Sequence, residues 1–297
     1  MERYRGIIPE WDLFLKALER PLPPTIRANT IKISPEELRY RLERKRARVL
    51  TSEWCEVLME VHGIKSLGNT LEHWLGFYYV QEASSLLPVI ALDPKPGERI
   101  LDMCAAPGGK ATYIAAKMEN RGALVANEPS TDRIRGLTAN IYRMGAFVAM
   151  VTQYDGTSFP QGMEFDKILL DVPCSCEGTA RKEPWLKEGA SLRYILKISS
   201  LQRRLISKAL DLLRPGGLLV YSTCTFAPEE NEEVVAYALK KRDDVYLEEV
   251  VLPVDCSRGI TEWNGKEYGE DMRKCVRIYP HQLDSGGGFI AKIRRGK

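Results

Sequence analysis

The chain has 297 residues, 44% of them hydrophobic and 28% charged. These ordinary globular values exclude a disordered, collagen-like or low-complexity protein and leave room for about two domains. Lys and Arg total 43 against 40 Asp and Glu, a net charge of +3, which neither demands nor excludes a polyanionic partner because binding depends on local patches.

In chain order, Trp11, Phe14, Leu15 and Leu18 recur at i, i+3, i+4 and i+7, one face of an amphipathic helix over residues 9–20. Pro21, Pro23 and Pro24 stop it, and the alternating stretch 25–33 predicts a half-buried strand. Ser34-Pro35-Glu36-Glu37 combines a Ser cap, an early Pro and a Glu three residues after the cap, so a helix is expected to about residue 46. Short strands are expected at 48–50 and 56–61, closing a β-α-β-like module near residue 75. Beyond it the pattern predicts helices at 82–92, 111–118, 131–144, 192–213 and 229–241. Between them it predicts strands at 99–103, 123–127, 147–152, 165–171 and 218–222, with a last strand at 288–293. Residues 255–274 read as loop-rich. Alternating strands and helices imply a mostly parallel, doubly wound α/β sheet. No apolar run approaches the ~20 residues of a membrane span. No apolar signal core follows Met1–Arg5, so a cytoplasmic protein without membrane contact is expected.

Ligands of an open parallel sheet bind beyond the carboxyl ends of its strands. The first strand of the larger unit runs into Cys104-Ala105-Ala106-Pro107-Gly108-Gly109-Lys110, small residues that let the backbone approach a ligand. Glu128 follows 19 residues after Gly109, where a carboxylate can grip a ribose diol. The loop lacks the G-x-G-x-x-G that seats a dinucleotide pyrophosphate. S-adenosylmethionine has no phosphate and needs a close turn and acidic groups, and Glu128, Asp155 and Asp171 stand at three strand ends. A single such acid would be an ordinary solvated side chain; three in register favour the methyl donor.

The seven cysteines are an odd number, which in a cytosolic chain disfavours a disulfide framework. Cys55, Cys256 and Cys275 read as buried thiols and Cys104 as packing beside the cofactor loop. Cys174-x-Cys176 lacks the paired spacing of a structural zinc site, and no His completes it, so no metal is expected. Cys174 and Cys224 both follow strands, at the edge where ligands bind. Carbon 5 of a pyrimidine is a poor nucleophile; a thiolate adding at C6 activates it, so its methylation needs an activated cysteine, an acid near N3, and a base to remove the C5 proton. Two strand-end cysteines beside Asp171 suit that chemistry.

The stretches DMCAAPGGKAT (102–112), LLDVPCSCEGT (169–179), RKEP (181–184) and YSTCTF (221–226) resemble the Nol1/Nop2/Sun family of RNA 5-methylcytosine methyltransferases. FYYVQEASSLLP (77–88) and RIYPHQLDSGGGFIAKI (277–293) are also similar, and the resemblance spans about residues 22–295. It implies a Rossmann-like class I S-adenosylmethionine-dependent methyltransferase domain at 76–297 behind a small N-terminal α+β RNA-recognition-like domain at 1–75. It also implies Cys224 as nucleophile, Cys174 assisting product release, and Asp171 near both the methionine end and the base. Residues Cys104, Ala105, Ala106, Pro107, Gly108, Gly109 and Lys110 would wrap the cofactor. Glu128 would take its ribose, Asp155 its adenine side, and Arg133 a further contact. The usual Ser or Gly is replaced by Cys176 here. Arg27 and Asn29 match an R-x-N strand expected near RNA, and the basic run Arg39–Arg48 would grip phosphates. The expected partner is RNA, with tRNA ahead of ribosomal RNA as in archaeal relatives, bound by a monomer that takes no DNA.

Overall fold

The computed structural model describes residues 1–297. Two large sheets lie in sequence, and a separate two-stranded sheet stands near the C-terminal end. The first is antiparallel, in the order β2 (Arg48–Thr51), β3 (Leu58–His62), β1 (Thr25–Ala28), β4 (Tyr78–Val80). β1 is shorter than the alternation implied: after Ala28 the chain turns through Asn29, whose carbonyl accepts from the Lys32 and Ile33 amides. Helix α1 (Trp11–Glu19) precedes this sheet. Helix α2 (Pro35–Glu43) starts at Ser34, whose hydroxyl accepts from the Glu37 amide, as the capping pattern required. Helix α3 (Leu71–Trp74) is a single turn before β4.

Helix α4 (Leu87–Leu92) leads into the larger sheet. Its parallel strands are β5 (Arg99–Asp102), β6 (Ala123–Asn127), β7 (Ala149–Thr152), β8 (Phe165–Asp171) and β9 (Leu213–Thr223), in the order β7-β6-β5-β8-β9. The order reverses between β5 and β8, so the crevice at their carboxyl ends is the switch point where such sheets bind ligands. Helices α5 (Gly109–Lys117) and α6 (Thr131–Met144) share one buried cluster, with α4 and the first sheet. Helices α7 (Leu192–Leu212) and α8 (Glu232–Lys241) share a second, with the other sheet face. β9 begins earlier than expected: Leu213 already pairs with Phe165, and the Arg214–Gly217 stretch bulges before pairing resumes at Leu218.

Of the antiparallel remainder, only the last strand, expected at 288–293, was anticipated. β10 (Val245–Glu248) leads to short strands β11 (Ser257–Arg258), β12 (Glu262–Trp263) and β13 (Lys266–Glu267), then β14 (Val276–Ile278). After helix α9 (Pro280–Leu283), β15 (Gly288–Arg295) pairs antiparallel with β9, β14 and β10.

Two facts bear on the expected division at residue 75. β4 lies beyond it yet belongs to the first sheet through pairing with β1. The first twenty residues pack on the larger unit: Met1, Tyr4, Ile8, Phe14 and Leu18 join Phe226, Ala227 and Tyr279 in an 11-residue buried cluster. No helix is long and apolar enough to cross a membrane.

Candidate active site

The crevice is built from strand ends. β5 stops at Asp102, and the chain turns through Cys104–Pro107 to Gly108, which has φ +104° as the residue before α5. A side chain would be strained there, and its Cβ would lie 3.1 Å from Leu137 Cδ1. The Ala105 amide donates to the Asn127 carbonyl at 2.8 Å. Asn127 itself donates to the carbonyls of Met103 and Tyr154, binding three strand ends together. Arg133 donates to the Ala106 carbonyl at 2.8 Å and lies 3.2 Å from Glu128. It therefore braces the loop from outside, with more than half its side chain exposed.

The acids divide. Glu128 is buried, with one oxygen taking the Ser130 amide and the other without a hydrogen bond. Asp155 is exposed and caps a turn of 3₁₀ helix, one oxygen accepting from the Thr157 amide and hydroxyl at 2.8 Å; the Thr157 amide is the main cause of its lowered pKa. Asp171 accepts from Lys110 Nζ and from the Ser222 hydroxyl, both at 2.7 Å. Burial opposes the Lys110 charge, and Asp171 outweighs it, holding that ammonium above its ordinary value. Asp102 was missed as a site residue, although the strand-end criterion that selected the other acids applies to it equally. It is 1% exposed and neither carboxylate oxygen has a partner. Burial first, then Asp171, push its pKa up to about 7. A buried carboxyl with no donor calls for one.

Asp102, Cys104–Pro107, Gly109, Lys110 and Asp171 line a cavity of about 430 Å³, whose opposite wall is Thr25, Tyr79 and Gln81 of the first unit. The Lys110–Asp171 pair also borders a narrow void that reaches Cys224, and so links the cavity to the thiols. Parallel pairing of Asp171 with Ser222 sets the two cysteine loops side by side. Cys174 Sγ lies 3.1 Å from Cys224 Sγ and 4.0 Å from Cys176 Sγ. Cys174 is buried; Cys176 and Cys224 are half-buried. Hydrogen bonds from Cys174 first, then Cys224, draw the Cys176 thiol down to about 3. Cys174 is raised chiefly by its bond to Cys176. Cys224 is lowered by Cys174, but Cys176 and burial outweigh that and raise it. Cys104 is raised by burial and by the acids around it.

The loops are held by groups that only the structure reveals. Ser175 and Thr225 share a 2.6 Å hydroxyl bond, and Glu230 accepts from the Ser175 amide and Gln202. Arg277, 1% exposed, makes two bonds to the equally buried Glu232 and one to the Phe226 carbonyl. Glu177 accepts from the Tyr4 hydroxyl, the Thr225 hydroxyl and the Ala190 amide. Arg181 of the RKEP stretch donates to the Arg20 and Pro21 carbonyls. Arg27 and Asn29 are corrected. Both are fully buried rather than presented to RNA. Arg27 donates to Gln81, the Gly109 carbonyl and Thr112, and Asn29 to the Gly76 and Met144 carbonyls. They tie the first sheet to α5 and α6.

A doubly wound sheet with an antiparallel last strand and an acid-lined cavity at its switch point defines a Rossmann-like S-adenosylmethionine-dependent methyltransferase. Residues 89–294 match the family described as 16S rRNA methyltransferase RsmB/F, and residues 1–83 match the N-terminal domain of 16S rRNA methyltransferase RsmF. The chain belongs to the RsmB/F (Nol1/Nop2/Sun) family of RNA cytosine-5 methyltransferases. It is 43% identical to the tRNA (cytosine(49)-C(5))-methyltransferase of Pyrococcus abyssi, over 99% of this chain and 95% of that protein. It is 40% identical to the 25S rRNA (cytosine-C(5))-methyltransferase nop2 of Schizosaccharomyces pombe, over 95% of this chain but only 48% of that protein. Among solved structures, a methyltransferase homolog from Pyrococcus horikoshii superposes with TM-score 0.87 at 37% identity, covering 99% of this chain and 93% of that one. NSun6 from Pyrococcus horikoshii, solved with an S-adenosylmethionine analogue, superposes with TM-score 0.86 at 27% identity, covering all of this chain and 97% of that one.

Proposed function

We propose that the chain methylates C5 of cytosine in tRNA through a covalent adduct between Cys224 and C6. The observation that carries this reading is the pair of sulfurs 3.1 Å apart, joined to the cofactor cavity by the Lys110–Asp171 ion pair. S-adenosylmethionine, when bound, supplies an electrophilic methyl group on a sulfonium. Asp102 would hold its ammonium, Glu128 its ribose hydroxyls, and the Cys104–Lys110 backbone its body, while Arg133 keeps that loop in place. Asp155 has one oxygen left for the adenine side.

Addition of the Cys224 thiolate forms an S–C6 bond and moves the ring electrons to C5, which takes the methyl group. Loss of the C5 proton then restores the C5–C6 double bond and expels the thiolate. Lys110 and Asp171 balance the charge that builds on the ring. Cys174, against the Cys224 sulfur, assists the expulsion. The target cytosine must leave its stack to reach these groups. The small unit supplies phosphate grip through exposed Arg44, Arg46 and Arg48. Arg39, Arg41 and Lys45 are already paired with Glu43 or Glu72. We read the small unit as residues 25–80, and the protein as a cytoplasmic monomer acting on RNA rather than DNA or membrane.

The tRNA choice rests on the relative of near-equal length. The same reaction on ribosomal RNA is the second reading, favoured by the family's description and by the longer relatives. Parallel methylation of unmodified tRNA and rRNA with product mapping separates them, and activity confined to rRNA overturns the first. Cys224→Ala should abolish methylation, and Cys174→Ala should accumulate a covalent protein–RNA adduct. Turnover by Cys224→Ala would refute the nucleophile.

A further inference from the structure

Sequence spacing brings Cys174 and Cys176 together but offers no third ligand. The fold does. Cys174, Cys176 and Cys224 place their sulfurs within 4.8 Å of one another, none is in a disulfide, and separations of 3.1 and 4.0 Å are recorded from Cys174 to the other two. A thiophilic ion with metal–sulfur bonds of about 2.3 Å needs its sulfurs about 3.8–4.0 Å apart. Small rotations of these side chains reach that spacing. Three sulfur donors suit d¹⁰ cations and not oxygen-seeking ones. Cys174 and Cys176 also line a cavity of about 790 Å³, which gives an ion a way in and leaves its fourth position open to water. No histidine takes part: His281 is stacked on Tyr279, His73 packs on Tyr78, and His62 contacts Glu60.

We propose that these three thiols form a site for a thiophilic d¹⁰ cation such as Zn(II) or Cd(II), with Cys176 as the ligand that completes it. Binding displaces the protons held on Cys174 and Cys224 and occupies the Cys224 sulfur, so the ion blocks methylation reversibly; this consequence rests on Cys224 being the nucleophile. Cys176 itself takes no part in the proposed methyl transfer. The site differs from a structural zinc centre because the fold is complete without it, the loops being held by Glu177, Glu230 and Arg277.

The test uses the reduced full chain without RNA or cofactor. Cd(II) is titrated by sulfur-to-metal charge-transfer absorption, and Zn(II) by competition with a chromophoric chelator. One ion per chain is expected. Cys176→Ser should weaken binding at least about tenfold while still turning over in metal-free buffer, and Zn(II) should inhibit its remaining activity correspondingly less. Unchanged affinity in Cys176→Ser, or no uptake by the parent, overturns the proposal. Because binding is read in the absence of RNA, it stands or falls separately from the assignment of Cys224: methylation by Cys224→Ala would remove the inhibitory consequence and leave the ion-binding result intact.

Discussion

Asp102 carries the sharpest consequence at the scale of single residues. Its folded pKa, pushed up to about 7 by burial and Asp171, means that the empty protein holds it protonated below that pH. A cationic ammonium favours the carboxylate, so binding releases the proton. S-adenosylmethionine should therefore bind more tightly as pH rises from about 6 to 7, by up to roughly tenfold per unit, before its own α-ammonium begins to lose its proton at about 8. Asp102→Asn should flatten that profile and weaken binding by about 1.5–3 kcal/mol, the worth of a charge-assisted hydrogen bond. Calorimetric titration checks both, and a parent affinity constant over this range would count against the role. Asp102 was legible in principle, since it ends a strand like Glu128 and Asp171. Its lack of any partner was not, because partners are a property of the folded crevice.

Among the elements, the two cysteine loops also depend on close backbone approach. The Gly178 amide donates to the Cys224 carbonyl, and the Gly287 amide to the Gly178 carbonyl. A Cβ on Gly178 would sit 2.2 Å from the Gly287 oxygen and 2.9 Å from the Cys224 oxygen. Gly178→Ala should therefore destabilise by about 1–3 kcal/mol, and should lower methyl transfer with little change in cofactor affinity. Gly136, inside α6 with nothing near its would-be Cβ, is the control: Gly136→Ala should stabilise by about 0.5–1 kcal/mol. Denaturant unfolding and turnover measure both, and a fully active Gly178→Ala would show that the close approach is dispensable. The strands β6 and β8 and helix α6 matched their sequence patterns to the residue. β10, β14 and the full length of β15 did not emerge, because these antiparallel strands take their definition from the neighbours they pair with rather than from their own alternation.

Over the whole molecule, the N-terminal twenty residues are the largest departure from a simple two-domain plan. Phe14 packs edge-on against Phe226 and Tyr279, and Phe226 lies two residues beyond Cys224. Phe14→Ala should cost about 3–5 kcal/mol and should also reduce methyl transfer by loosening that loop. A loss below about 1 kcal/mol in urea unfolding would mean that the segment is only loosely attached. Arg27 and Asn29 belong to the same scale. Read locally, an Arg and an Asn on a short strand invite a polyanion. In the fold they satisfy carbonyls at the junction of the two sheets, and burial lowers the Arg27 pKa to about 10.

The parallel alternation, the small-residue loop at Cys104–Lys110, and the cysteines and acids that end the strands are written in the residues themselves, because each rests on contacts a few residues apart or on a strand's own period. That Lys110 meets Asp171, that Asp102 is left without a partner, and that three cysteines up to 50 residues apart stand together follow from the fold alone. Parallel strands distant in the chain lie about 4.8 Å apart, and which residues face one another across that gap is set by register, which no local pattern records.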